Sequence, residues 1–363
     1  MNILVAVYAP GAAEAIVEVV GLSAASDSVT VITLGALPDD RALGGASAIF
    51  ARCGVPHTDL RQLNYLGPAN AVPQVLAEDL LAQTRPDAVL VGCSRDPSGS
   101  WTTLEDALVA SAHTRDIVSV QLLDGWDVWF PRNTRVTAGR LAAPDEAARR
   151  IVQQRGGVPA EQIVATGQPA VDAIDPSSVQ LRREERRASL GVAADERVVL
   201  YCGQVSSDNP LTLMWTIDAL GPRDRLIFQR HPRDARSYDS VLAAAAGRVL
   251  ASAPRGDDVF AVADVCVTHS STVGLRAAAH GLPVVNVLLD GELDDVRRLC
   301  GGYPLAALGV SREVHDARAL AGALAGNVPR PNAALLRERL HLDGRAAERV
   351  HALLQPFPPR VRI

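Results

Sequence analysis

Five small polar residues, Thr268-His269-Ser270-Ser271-Thr272, end the apolar run Val265-Cys266-Val267 and lead into Val273-Gly274-Leu275-Arg276-Ala277. A second apolar run, Val284-Val285, follows Gly281-Leu282-Pro283. The pattern is that of a buried strand, a polar turn, a helix start and a second buried strand. The first amides of a helix lack intrahelical acceptors and sit at the positive end of its dipole, and small hydroxyls let an anion come close. His269, Ser270, Ser271 and Thr272 are therefore candidate phosphate ligands. Ser and Thr are also common N-caps, so the same residues would serve an ordinary α/β turn, and His269 could equally be packing.

A second turn, Arg230-His231-Pro232-Arg233, ends another apolar run. Among cationic neighbours a neutral imidazole at His231 can donate to a phosphate or accept a proton, and a capped surface turn is the alternative. Two carboxylates end further runs: Asp96 within Cys93-Ser94-Arg95-Asp96-Pro97, and Asp124 before Gly125-Trp126. Such a pair can divide acid and base work if their environments differ, or each can cap its own turn. Glu146 is a third, weaker candidate. Gly11, after the first apolar run, and Ser94 are substrate-side candidates. The Trp126 ring could form a stacking platform or belong to the core, and Trp101 and Trp129 stand nearby in sequence. His280, late in a helix, reads as structural.

These turns need strands to carry them. Apolar runs predict strands over 3–8, 29–34, 86–92, 117–123, 139–144, 197–202, 225–229, 249–251 and 265–268, with a further strand and turn over 161–169. Between them the pattern predicts helices over 14–22, 41–52, 68–84, 102–115, 145–155, 210–220 and 257–263. Strands alternating with helices in both halves imply an α/β protein of two facing, Rossmann-like, doubly wound domains. The expected boundaries are 1–175, 176–345, and a C-terminal helix and tail over 346–363. The segment 175–187 reads as the connection, with Arg182-Arg183-Glu184-Glu185-Arg186-Arg187 as a solvated, charge-alternating helix.

Composition narrows the chemistry. A chain of 363 residues is long for one core. Its net charge of −5 argues against a nucleic-acid surface. All 36 basic side chains are Arg. Without Lys, Schiff-base chemistry and a phosphate-loop lysine are excluded, leaving Arg, His and backbone amides for anions. The five cysteines form no CxxC pair, so free, buried thiols in a reducing cytoplasm are expected. The start, Met1-Asn2-Ile3-Leu4-Val5, reads as a first strand rather than a signal peptide, and no apolar run approaches membrane-spanning length.

With Arg230-His231-Pro232, Ser270-Ser271-Thr272 and Arg276-Ala277…Gly281-Leu282-Pro283 in place, the chain resembles the GT-B superfamily. More narrowly it looks like the non-hydrolysing UDP-N-acetylglucosamine 2-epimerases and related glycosyltransferases. Thr166-Gly167-Gln168-Pro169…Asp172 resembles the turn that closes their first domain. The resemblance implies a nucleotide-diphosphate site made by Gly203, Gln204, Arg230, His231, Ser270, Ser271 and Thr272, with the reactive carboxylates in first-domain loops, here Asp96 and Asp124. One position departs from the pattern: where the family places a Glu that accepts from both ribose hydroxyls, this chain has Arg276, which can pair with phosphate or carboxylate but accepts nothing.

The expected activity is glycosyl transfer from a nucleotide-diphosphate sugar or a related phosphorylated donor. No metal and no cofactor is expected, since the nucleotide-sugar is a substrate. 2-Epimerisation and phospho-ligand binding without catalysis are the alternatives. The expected partners are a small-molecule donor and acceptor, with no nucleic acid and no membrane span, and a homodimer stays open.

Overall fold

A computed structural model describes residues 1–33, 45–60, 74–93, 103–126, 136–204, 206, 208–231, 234–250, 256–289, 291, 293–326 and 328–356. The chain forms two compact units, Met1–Ala173 with Leu340–Ile363, and Ile174–Arg339. Each is built on a parallel sheet.

The first unit's sheet comprises β1 (Asn2–Val7), β2 (Ser28–Thr33), β3 (Thr58–Asp59), β4 (Ala88–Val91), β5 (Val118–Leu122), β6 (Arg140–Ala143) and β7 (Ile163–Ala165). Their order is β3-β2-β1-β4-β5-β6-β7. The second comprises β8 (Arg197–Cys202), β9 (Asp224–Gln229), β10 (Val265–Thr268), β11 (Val284–Val287) and β12 (Arg312–Val314), in the order β12-β11-β10-β8-β9. Both are doubly wound, because the strand order reverses at β1/β4 in one and at β8/β10 in the other. Continuous apolar runs suit these strands because helices cover both sheet faces, and β1, β4, β10 and β11 are buried almost throughout. The expected strand over 249–251 amounts to a single bridge from Val249 to Leu226.

The charged segment 175–187 departs from the expected solvated helix. It folds as two short helices, Pro176–Leu181 and Arg183–Ser189. Arg183 donates to the carbonyls of Ala261 and Ala263, both at 2.8 Å, and pairs with Asp264. Arg187 is buried and reaches Val262 O and Asp264, each at 3.0 Å. The last carbonyls of the helix Asp258–Val262 need donors, and two of the guanidinium groups supply them.

The C-terminal helix Ala346–Leu353 packs into the first unit, where Val350 and Leu354 join the core of Ile3, Val5 and Ile16. The Thr166–Asp172 turn holds its start. Asp172 accepts from the amides of Gly344 and Ala346, both at 2.7 Å, and Arg349 donates to Thr166 O at 2.7 Å. Gly167 has a positive φ, and a Cβ there would stand 2.8 Å from His341 O. At the other end Arg140 donates to the carbonyls of Leu353 and Gln355. Removing the N-terminal cap by Asp172→Ala should cost about 1 kcal/mol. Amide exchange should then accelerate over 344–349, and unchanged exchange there would show that the cap contributes nothing.

Candidate functional site

The C-terminal edge of the second sheet carries the candidate anion site. Ser271 is the N-cap of the helix Thr272–Ala279, its hydroxyl accepting from Val273 N at 3.2 Å. Gly274 lets this helix lie close to β10 and β11, since a Cβ would already stand 3.3 Å from Thr268 Cγ2. Ser270, Ser271 and Thr272 all keep part of their surface open. The amides of Ser271 and Thr272 have no acceptor among the described residues. Across the β8/β10 reversal point, Ser270 Oγ donates to Gln204 Oε1 at 3.3 Å, and Thr268 Oγ1 to Cys202 O at 3.1 Å. The structure thus brings Gly203, Gln204 and Ser270–Thr272 together, at the place where open α/β sheets take ligands.

A buried polar network lies beneath, and sequence reasoning missed its hub. Asn209 opens the helix after β8 and is fully buried. Its Oδ1 accepts from Tyr201 Oη at 2.7 Å and from Gln204 N at 3.3 Å. Its Nδ2 donates to Tyr238 Oη at 2.6 Å and to Asp234 Oδ2 at 3.4 Å. Gly203 has no side chain because Asn209 occupies its place: a Cβ there would stand 2.7 Å from Nδ2. Asp234 also accepts from Tyr238 and from both arms of the Arg236 fork, at 2.7 Å each. Arg236 first, then Tyr238, hold its carboxyl well below the usual range against the cost of burial.

His269 belongs to this network, not to the open side of the turn. Its ring is fully buried, with Nε2 2.9 Å from Thr212 Oγ1 and 3.2 Å from Tyr201 Oη, while its carbonyl accepts from Asn286 Nδ2 at 2.5 Å. The expectation of a phosphate-binding imidazole is corrected accordingly: His269 positions the turn from below. Arg230 is exposed beyond β9 and donates to Arg236 O at 3.2 Å. His231 is partly open, and its carbonyl accepts from Asp234 N. A cavity of about 360 Å³ adjoins this turn, lined by Phe228, Arg230, Arg236 and Tyr238 among others. Arg276, expected to meet a ligand anion, instead donates to Asp257 at 2.7 Å.

In the first unit, Asp124 follows β5 and abuts the start of the helix Pro10–Ser23. A Cβ on Gly11 would collide with its Oδ2, so Gly11 is the residue that admits this carboxyl. Burial pushes the Asp124 pKa up to about 6, against the pull of its own backbone amide and with a push from Glu14. Asp124 keeps a partly open surface, so its proton remains exchangeable. A second carboxylate, Glu105, is buried at the same sheet edge and accepts from Tyr8 N at 3.2 Å. A Cβ on Gly92 would stand 2.7 Å from Glu105 Oε1. Its sequence context, an acidic pair in the first turn of a helix, reads as dipole compensation and hides it.

Trp126 is corrected as well. It is 5% exposed, and its indole donates to the buried Asp145 at 2.7 Å, so no ring face is available for stacking. Asp145 in turn caps the helix Glu146–Gly156. Ser94, Asp96, Trp101, Trp129, Pro232 and Arg233 lie outside the described residues. Among the described residues no group of His, Cys, Asp and Glu could hold a metal ion, and no helix is long and apolar enough to cross a membrane.

Residues 130–290 match the model of the CDP-glycerol:poly(glycerophosphate) glycerophosphotransferase family. No curated protein matches the chain in sequence. Among solved structures, UDP-GlcNAc 2-epimerase from Neisseria meningitidis bound to UDP-GlcNAc is 14% identical, with 98% of this chain and 99% of that chain covered at a TM-score of 0.68. A glycosyltransferase from Rickettsia africae is 12% identical, covering 97% and 93% at 0.61. A variant of the wall teichoic acid polymerase TagF is 12% identical, covering 97% and 88% at 0.53. The chain therefore shares its fold with these structures, two Rossmann-like α/β units in a GT-B-like chain. Its matched segment runs from before β6 to just past β11 and includes the Ser270–Thr272 turn.

Two measurements test this geometry. Asn209→Leu removes the amide shared by Tyr201, Gln204 N, Tyr238 and Asp234 and should cost on the order of 3 kcal/mol in denaturant unfolding; a cost below about 0.5 kcal/mol would show that the network is not what holds the turns. Asp124 binds its proton more tightly folded than unfolded, so it lowers stability as pH rises from about 4 to about 6. Asp124→Asn should therefore match the native melting temperature at pH 4 and exceed it at pH 8, and an equal difference at both would contradict the raised pKa.

Proposed function

We propose that this chain is a transferase that takes its group from a nucleoside-diphosphate-activated donor, a sugar or a polyol phosphate. The second unit holds the donor's diphosphate, and Asp124 takes the proton of the acceptor hydroxyl. The observation that carries the reading is the Ser270–Thr272 helix start beside Gly203-Gln204, where the amides of Ser271 and Thr272 have no acceptor among the described residues and a buried network lies beneath the turn. Preorganised donors of this kind stabilise charge that grows on a leaving phosphate, at no cost of rearrangement during reaction. Arg230 and His231, beyond the neighbouring strand, supply further donors.

In glycosyl transfer the acceptor oxygen bonds to the sugar's anomeric carbon and the C–O bond to the diphosphate breaks. In polyol-phosphate transfer it bonds to phosphorus, and the nucleoside monophosphate leaves. Either route releases one proton from the acceptor, and a carboxylate with a pKa of about 6 is suited to take it near neutral pH. The leaving group is met by protein donors, so turnover should withstand EDTA.

Epimerisation is the second reading, favoured by the likeness to UDP-GlcNAc 2-epimerases. Incubation with UDP-GlcNAc or CDP-glycerol separates the two. Nucleotide release that requires an acceptor is the expected result, with Asp124→Asn reducing kcat by roughly 10²- to 10⁴-fold. Conversion to the manno epimer without acceptor would replace transfer by epimerisation, and binding without turnover of either donor would end both.

A further inference from the structure

Arg276 has no acceptor to offer a sugar hydroxyl, yet the structure places one beside it. Its Nη2 donates to Oδ1 of Asp257 at 2.7 Å, and the other oxygen of that carboxylate stands 3.5 Å from His280 Nε2. Residues 276 and 280 lie one turn apart, so Arg276 hydrogen-bonds the carboxylate while His280 stands within ion-pair distance of it without a hydrogen bond. His280 is buried and stacked on Phe260, with ring centroids 4.8 Å apart. The carboxylate is the open member of the cluster: the Asp257 side chain is 33% exposed, against 22% for Arg276 and 2% for His280. Each carboxylate oxygen has two lone-pair directions, and one such contact on each leaves acceptor capacity on both. Burial pushes the Asp257 pKa up, but His280 and Arg276 outweigh it and bring it down to about 2, so the group is an ionised acceptor near neutral pH.

Its position along the helix matters as much as its charge. Thr272 opens the helix and Arg276 follows one turn later, about 6 Å along the axis. A diphosphate seated on the Ser271 and Thr272 amides would therefore have the residue that holds this carboxylate one helical turn away, on the scale that separates a nucleotide's phosphates from its ribose hydroxyls. Open α/β nucleotide sites commonly pair a helix start for the phosphates with an acidic side chain for the ribose. The geometry points to Asp257 as a specificity-determining residue that accepts hydrogen bonds from the vicinal ribose hydroxyls of the donor nucleotide, with Arg276 and His280 as the positioning residues that hold it. This rests on the reading of the second unit as a nucleoside-diphosphate site. Arg276 then does not abolish ribose recognition. It relocates the acceptor from its own helix to the neighbouring one.

The test is calorimetric titration of the full chain with UDP, CDP, their 2′,3′-dideoxy analogues and inorganic pyrophosphate. The ribonucleotides should bind roughly 10- to 100-fold more tightly than the dideoxy forms, as expected for two charge-assisted hydrogen bonds. In Asp257→Asn, which keeps an oxygen for Arg276, that preference should fall below about threefold, while pyrophosphate affinity stays within about twofold of the native value. The analogue series on the unaltered protein decides the matter even if the variant fails to fold. Equal binding of ribo and dideoxy forms would overturn the role of Asp257 and leave the nucleotide site standing. A ribose preference that survives Asp257→Asn would also overturn it. Failure of every nucleotide to bind would remove the site itself, and this inference with it.

Discussion

The second unit depends on one buried amide being satisfied on all sides. Asn209 has two acceptor directions and two donor hydrogens, and the fold engages all four with Tyr201, Gln204, Tyr238 and Asp234. In a low-dielectric interior each of these bonds is strong, and each broken one leaves a partner unsatisfied. Through them, the turns after β8 and β9 are tied to one point. The turn after β10 joins through His269, which shares Thr212 and Tyr201 with the same cluster. Three loops that could drift at a sheet edge therefore hold one arrangement. The helix start at Thr272 inherits its orientation from that arrangement and from the close approach that Gly274 permits.

The first unit solves a different problem. Its sheet edge carries carboxylates, Asp124 and Glu105, in places where glycine alone leaves room: Gly11 beside one and Gly92 beside the other. Burial that would ordinarily be avoided raises the Asp124 pKa toward neutrality. That costs stability above pH 6 and leaves a carboxyl that titrates near neutrality. The same unit anchors the chain's end, through Asp172 at one terminus of the last helix and Arg140 at the other. The Thr166–Asp172 turn thus has a structural role that its resemblance alone does not reveal.

Much of the fold was legible because buried parallel strands are unbroken apolar runs, as in Ile3–Val7 and Val198–Cys202. The edge strands Thr58–Asp59 and Arg312–Val314 escaped notice, being short and polar, with little apolar surface to bury. The helix start at Ser271–Thr272 was readable because N-caps demand particular residue types, whereas Gly203 was nominated only through the resemblance. Side-chain direction was not readable. His269 and Trp126 look the same in sequence whether they face a ligand or the core, and both face inward. Arg183 and Arg187 read as solvated because charge alternation carries no sign of the helix carbonyls waiting to be capped. Asn209 follows Asp208 and precedes Pro210, a context that resembles a common turn and conceals a hub.

Hydrogen–deuterium exchange with and without inorganic pyrophosphate tests the central claim most directly, because it reads the amides of the turn themselves. Pyrophosphate should slow exchange over 270–273 and in the peptide spanning Gly203 and Gln204, while the strands beneath stay as they are. Protection absent from these turns, or appearing only elsewhere in the chain, would contradict the account.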